Sequence, residues 1–145
     1  MLNEITIFIT NNLSEKLAKS LISFIGFIES NNMDVEMFID DTFVAKLNEH
    51  IVCYIVIQKD AYRVIHIGEY SKGYEGLNIP KKLIWENVVL CSNCPDCSSA
   101  PGKNEVIMDK EFNNVCQNAK IRFQNPIEKE LDCAKQIVLW RLRQL

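Results

Sequence analysis

Ile51-Val52-Cys53-Tyr54-Ile55-Val56-Ile57-Gln58-Lys59-Asp60-Ala61-Tyr62-Arg63-Val64-Ile65-His66-Ile67 is the stretch whose reading decides the fold. Two runs rich in β-branched and aromatic residues, Ile51 to Ile57 and Tyr62 to Ile67, flank Gln58 to Ala61, a hairpin-length loop. Just upstream the pattern repeats, with Val35 to Ile39 and Phe43 to Leu47 on either side of the turn-forming pair Asp40-Asp41. The middle third of the chain therefore reads as an antiparallel sheet built from hairpins.

Helical patterns flank it. Residues 5–9, Ile-Thr-Ile-Phe-Ile, fit either a strand or one helical face, and a short helix is the preferred reading. Asn12 is expected to open a second helix, with Glu15 completing a capping-box pattern. Its apolar stripe is Leu13, Leu17, Leu21, Phe24, Ile25 and Ile28, and Asn31-Asn32 stops it. Residues 68–79 read as a long loop. Pro80 starts a short helical segment, and Val88 to Leu90 lead into a turn. Val106 to Met108 and Ile121 to Phe123 are further short strand candidates. At the close, Asn125 is expected to cap a helix whose first position is Pro126. Ile127, Leu131, Ala134, Val138 and Leu142 mark its buried face, and Arg141 and Arg143 stand near its C-terminal dipole. The fold class is α+β, with N-terminal helices, a central antiparallel sheet built from hairpins, a Cys-rich loop and a C-terminal helix.

A chain of 145 residues forms one domain over residues 1–145, able to bury roughly 68–70% of its unfolded surface. Such a core needs no disulfide staples, so the six cysteines call for another explanation. A net charge of −3 without any long run of one sign disfavours nucleic acid as a partner. The start, Met1-Leu2-Asn3-Glu4, lacks the basic region of a secretory signal, and Leu21 to Ile28 is too short to span a bilayer. The expected location is the cytoplasm, where clustered thiols read as metal-binding or catalytic before they read as disulfides.

Those thiols are concentrated in Cys91-Ser-Asn-Cys94-Pro-Asp-Cys97, within a Cys-rich loop spanning about residues 91–118. Sulfurs two residues apart in a polar turn converge on a volume suited to a soft cation, a disulfide or a redox pair. Cys116 is the best fourth ligand, so Cys91, Cys94, Cys97 and Cys116 form a candidate tetrahedral zinc site. An iron–sulfur cluster of the bacterial pattern wants a fourth Cys where Pro101 stands. Cys94-Pro95-Asp96-Cys97 also matches a glutaredoxin-type C-P-x-C, but Pro101-Gly102 would cut the required helix after one turn. Four partly buried free thiols that merely lie close are the plainest alternative. Cys53, inside a strand, and Cys133, on the last helix, read as core fillers.

The other chemistry-bearing residues are weaker. His66 is in phase with Tyr62 and Val64 and reads as a sheet-face histidine, while His50 opens a strand and is expected in solvent. No Ser has a nearby His and carboxylate at recognisable spacing. Gly68, Gly73 and Gly76 lack the setting of a phosphate loop. Tyr70, Tyr74 and Trp85 could line a pocket beside the cysteine turn, with core packing the simpler role for Trp85. Trp140, offset from the stripe of its helix, is expected to cover a sheet edge or a partner.

The Phe43-to-Ile57 and Tyr62-to-Gly68 hairpin pattern, set between N-terminal helices and a closing helix, resembles YdhG-like and TfoX-N-terminal-like small α+β proteins. The segment Cys91…Cys94…Cys97…Gly102…Asp109-Lys110-Glu111-Phe112-Asn113-Asn114-Val115-Cys116…Phe123-Gln124-Asn125-Pro126 resembles a branch of uncharacterised clostridial-type proteins. The resemblance implies the α+β fold and no particular activity. Function is expected to be that of a non-enzymatic binding module with a zinc-stabilised loop. The alternative is a thiol-redox or metal-dependent enzyme using Cys91, Cys94 and Cys97. The partner is expected to be a small molecule or a protein, neither nucleic acid nor membrane, and a homodimer is compatible with the sequence.

Overall fold

The computed structural model describes residues 2–67, 74, 76–91 and 101–145, with the side chains of Leu2 and Asn3 left aside. Within these residues the chain is α+β, as the sequence predicts. In order it forms α1 (Leu2–Asn12), α2 (Glu15–Ser30), β1 (Asp34–Ile39), β2 (Thr42–Leu47), β3 (His50–Gln58) and β4 (Ala61–His66). Then come α3 (Lys81–Trp85), β5 (Lys103–Ile107), β6 (Lys110–Val115), β7 (Ile121–Gln124) and α4 (Glu128–Gln144).

β1 to β4 and β7 make an antiparallel sheet in the order β1-β2-β3-β4-β7, and β5 pairs with β6. Two-residue turns join the consecutive pairs: Asp40-Asp41, Asn48-Glu49, Lys59-Asp60 and Met108-Asp109. Each places an Asn or Asp at positive φ, the conformation that a tight hairpin needs and that these side chains tolerate. The expected four-residue loop at Gln58 to Ala61 is thus two residues shorter. Met108, read as strand, instead sits in the β5–β6 turn at φ 49.

Strand alternation puts Phe43, Cys53, Ile55, Ile57, Val64 and Phe123 into the core. The helices cover that face, α2 against β1 and both α1 and α4 against β3. α2 contributes Leu21, Phe24, Ile25 and Ile28, the predicted stripe, with Leu17 half-buried at its border. Burying side chains of this kind stabilises by roughly 1.5–3 kcal/mol each. His50 is exposed, and His66 is buried against the edge of the Phe123 ring. Burial pulls His66 down to about 3, so the imidazole is neutral across the physiological range.

Several termini differ from their expected form. Asn12 ends α1, its Nδ2 donating back to Phe8 O, and Ser14 caps α2 by accepting from Leu17 N–H at 3.3 Å. Asn125 does not cap α4. Its N–H donates to Tyr62 O and its Oδ1 accepts from Tyr62 N–H, both at 2.8 Å, extending the β4–β7 ladder by one clamp. Asn125 sits at φ 45, which turns the chain off the strand. The N-cap is Ile127, whose N–H donates to Glu130 Oε1, and its side chain is exposed rather than on the buried stripe. Arg141 leaves the helix terminus for the interior, where Nη2 donates to Ile51 O at 3.3 Å.

Tyr62 is consequently held at three points, by both Asn125 groups and by its hydroxyl bonded to Ser20 Oγ at 2.8 Å. Asn125→Ala removes a half-buried acceptor and strains the backbone, so it is expected to cost about 1–3 kcal/mol in urea unfolding. Asn125→Gly accepts φ 45 without strain and isolates the hydrogen-bond share. A neutral Asn125→Ala would show that the clamp contributes nothing.

Candidate functional site

The segment Asn87 to Cys91, between α3 and the cysteine turn, is a splint between the two sheets. Its alternate residues hydrogen-bond along one edge of the 114–122 stretch: Asn87 O accepts from Arg122 N–H, and Val89 N–H donates to Lys120 O. Val89 O accepts from Cys116 N–H at 2.9 Å, and Cys91 N–H donates to Asn114 O at 2.6 Å. Val88 bridges Ile121 and Leu90 bridges Val115, both antiparallel. Between these contacts residues 117–119 bulge out of the ladder. Backbone donors and acceptors next to a sheet edge must be paired or solvated, and this splint pairs them.

Asn114 anchors the base of the cysteine turn. It stands at φ 62, donates from Nδ2 to Cys91 O at 2.6 Å, and takes Asn104 Oδ1 as the acceptor of its N–H. Gly102 lies directly against it. A Cβ at Gly102 would meet Asn114 Oδ1 at 2.5 Å and its carbonyl carbon and oxygen at 2.7 Å. Cys91 at one end of the turn and Gly102 at the other are therefore both held at Asn114. Cys116 follows two residues on, with its backbone on Val89.

Of the four predicted ligands, the structure brings Cys91 and Cys116 onto neighbouring positions of one ladder, as free, partly exposed thiols. Cys94 and Cys97 lie outside the described residues, as does Tyr70. Among the described residues no three His, Cys, Asp or Glu side chains cluster as a metal site. Cys53 and Cys133 are buried, as expected of core fillers. Burial pushes the Cys53 thiol up to about 12, and burial with Asp132 and Glu130 raises Cys133, so neither is an activated thiolate.

Behind the splint lies a buried polar group that the sequence did not announce. Lys120 is fully buried, with Nζ donating to Glu105 Oε1 at 3.0 Å and lying 5.5 Å from the centre of the Tyr74 ring. Gln117, in the bulge, donates to Glu105 Oε2 at 2.9 Å. Burial holds the Lys120 ammonium below the ordinary lysine range, and Glu105 offsets part of that. The Tyr74 hydroxyl is raised by burial, then by the Glu105 charge, with Arg141 opposing. Trp140 stands edge-on to Tyr74, centroids 5.1 Å apart. Trp140 thus covers the interior side of this group, and Trp85 donates to Ile107 O at 2.8 Å from the rim of β5. In Asn118-Ala119-Lys120-Ile121 nothing marks the lysine as interior. The alternation running back from Phe123 and Ile121 would turn Lys120 outward with Arg122, so the local pattern points away from its burial.

Comparison with known family models, curated proteins and solved structures finds no match.

Gly102→Ala tests the shared anchor. The added methyl has no room beside the Asn114 backbone, so the variant is expected to separate Gly102 from Asn114 and lower the urea midpoint. Its cost is expected to be about 1–3 kcal/mol, with faster amide exchange at Cys91. A Gly102→Ala protein as stable as the wild type would remove the close approach from the account.

Proposed function

We propose that this chain is a non-enzymatic binding module whose Cys-rich loop is organised by a soft cation, zinc, held by Cys91, Cys94, Cys97 and Cys116. The observation that carries this reading is the convergence of both ends of the turn on Asn114, with Cys116 on the same ladder. Cys94 and Cys97 fall by sequence between these two anchored ends, and with Cys91 and Cys116 they make up the four-thiolate donor set that a tetrahedral zinc site requires. Zinc would supply cross-linking there and no redox chemistry, and its binding energy would order the turn. The buried Lys120–Glu105 pair supports a structural role, because it fixes β5 against the residues behind Cys116. No helix among the described residues is long and apolar enough to cross a membrane. A reducing cytoplasm, where thiolates stay available to metal, suits the proposal, and the likeness to YdhG-like small α+β proteins is proposed with it.

Metal analysis on freshly reduced protein is the test. One zinc per chain is expected, lost in Cys116→Ser and kept in Cys53→Ala, with amides of residues 92–100, beyond the splint, exchanging faster after chelation. Equal zinc in wild type and Cys116→Ser would refute Cys116 as the fourth ligand. Metal-free protein with a rapidly alkylated Cys94 would favour thiol chemistry by Cys91, Cys94 and Cys97 instead.

A further inference from the structure

Two cavities lie between α2 and α4. One, of about 690 Å³, lies between α4, the C-terminal half of α2 and the approach to α3. Its apolar wall is Phe27, Ile79, Leu83 and Leu139, and its polar rim includes Lys129, Asp132 and Lys135. The other, of about 650 Å³, opens at the N-terminal end of α4 and shares Asp132 and Lys135 with the first. Lys135 therefore stands at the divide. Its Nζ rests 5.6 Å from the centre of the Phe27 ring. Neither Lys129 nor Lys135 makes an ion pair among the described residues.

Charge separates the two cavities. The one at the start of α4 sets Lys16 and Lys135 against Glu128 and Asp132, which balances. The one beside α3 sets Lys129 and Lys135 against Asp132 alone, which leaves a positive excess over an apolar wall. An ammonium lying on an aromatic face keeps donors free for a stronger partner. Its volume lies within the span of ordinary small-molecule sites, roughly 300–1,000 Å³.

We propose that the cavity beside α3 binds an amphiphilic anion, a single-chain carboxylate whose head meets Lys135 and Lys129 and whose chain lies against Phe27, Ile79, Leu83 and Leu139. Asp132, one turn before Lys135 on the same helix, orients the head toward the lysines by repelling it from its own side. The proposal is independent of metal at the cysteine turn.

Dodecanoate, titrated below its micellar range into the full chain, is the probe, read by calorimetry and by the fluorescence of Trp85 and Trp140. Saturable binding of one molecule per chain is expected, with dodecanol and dodecylamine weaker. Lys135→Met is expected to weaken dodecanoate by about tenfold or more, the scale of one lost charged hydrogen bond, and to leave dodecanol unchanged. Lys135→Arg should retain binding. Lys129→Met serves as a second variant, each checked for folding by its circular dichroism midpoint. The proposal is overturned if dodecanoate does not saturate, if dodecylamine binds as well, or if Lys135→Met and Lys129→Met both bind dodecanoate as the wild type does. Sedimentation showing this face closed by a second copy of the chain would overturn it too.

Discussion

Main-chain hydrogen bonds from Asn87, Val89 and Cys91 to Arg122, Lys120, Cys116 and Asn114 tie the β5–β6 hairpin to the five-stranded sheet. Without them that hairpin would be a two-stranded ribbon, which is marginal in water. With them, its inward residues Ile107 and Val115 reach complete burial and join the main core. The splint also decides where the cysteine turn begins, because Cys91 is its last residue. Everything argued about the thiols follows from that position.

The junction combines two kinds of interaction with opposite demands. Its backbone ladder is geometric, and apart from Asn114 at φ 62 it asks only for residues that can adopt extended φ and ψ. The Lys120–Glu105 pair behind it is demanding, since a fully buried ammonium is costly to desolvate and needs its carboxylate in place. Gln117 orients that carboxylate from the bulge, so the break in the ladder is also what brings a side-chain amide to Glu105. Such a pair is a poor source of net stability and a good device for register, because no slipped alignment of β5 would satisfy it.

The hairpins were legible because their signals are short-range. Val35 to Leu47 and Ile51 to Ile67 carry β-branched residues on both sides of Asp-containing turns, and the strands form there. The helical stripe of α2 was legible for the same reason. Chain termini of the helices were not. Asn125 has the composition of a cap, yet its amide serves Tyr62, which is 63 residues away in sequence. Asn12 is likewise taken by α1. β6 was hidden because Lys110-Glu111-Phe112-Asn113-Asn114-Val115 buries only its last residue, so there is no alternation to read. At the candidate site, the thiols could be named from spacing, whereas Asn114, Gly102 and Lys120 could not. Their roles are contacts between segments, and no local pattern encodes them.

The central claim is that the base of the cysteine turn is built by the backbone before any ligand arrives. Amide hydrogen exchange on chelator-treated, reduced protein measures this directly at Val89, Cys91, Cys116 and Arg122, the donors of the splint. The account predicts that these amides exchange as slowly as those of β3 and β4, opening only when the sheet unfolds. Exchange at the rate of an unstructured loop, with β3 and β4 still protected, would contradict it.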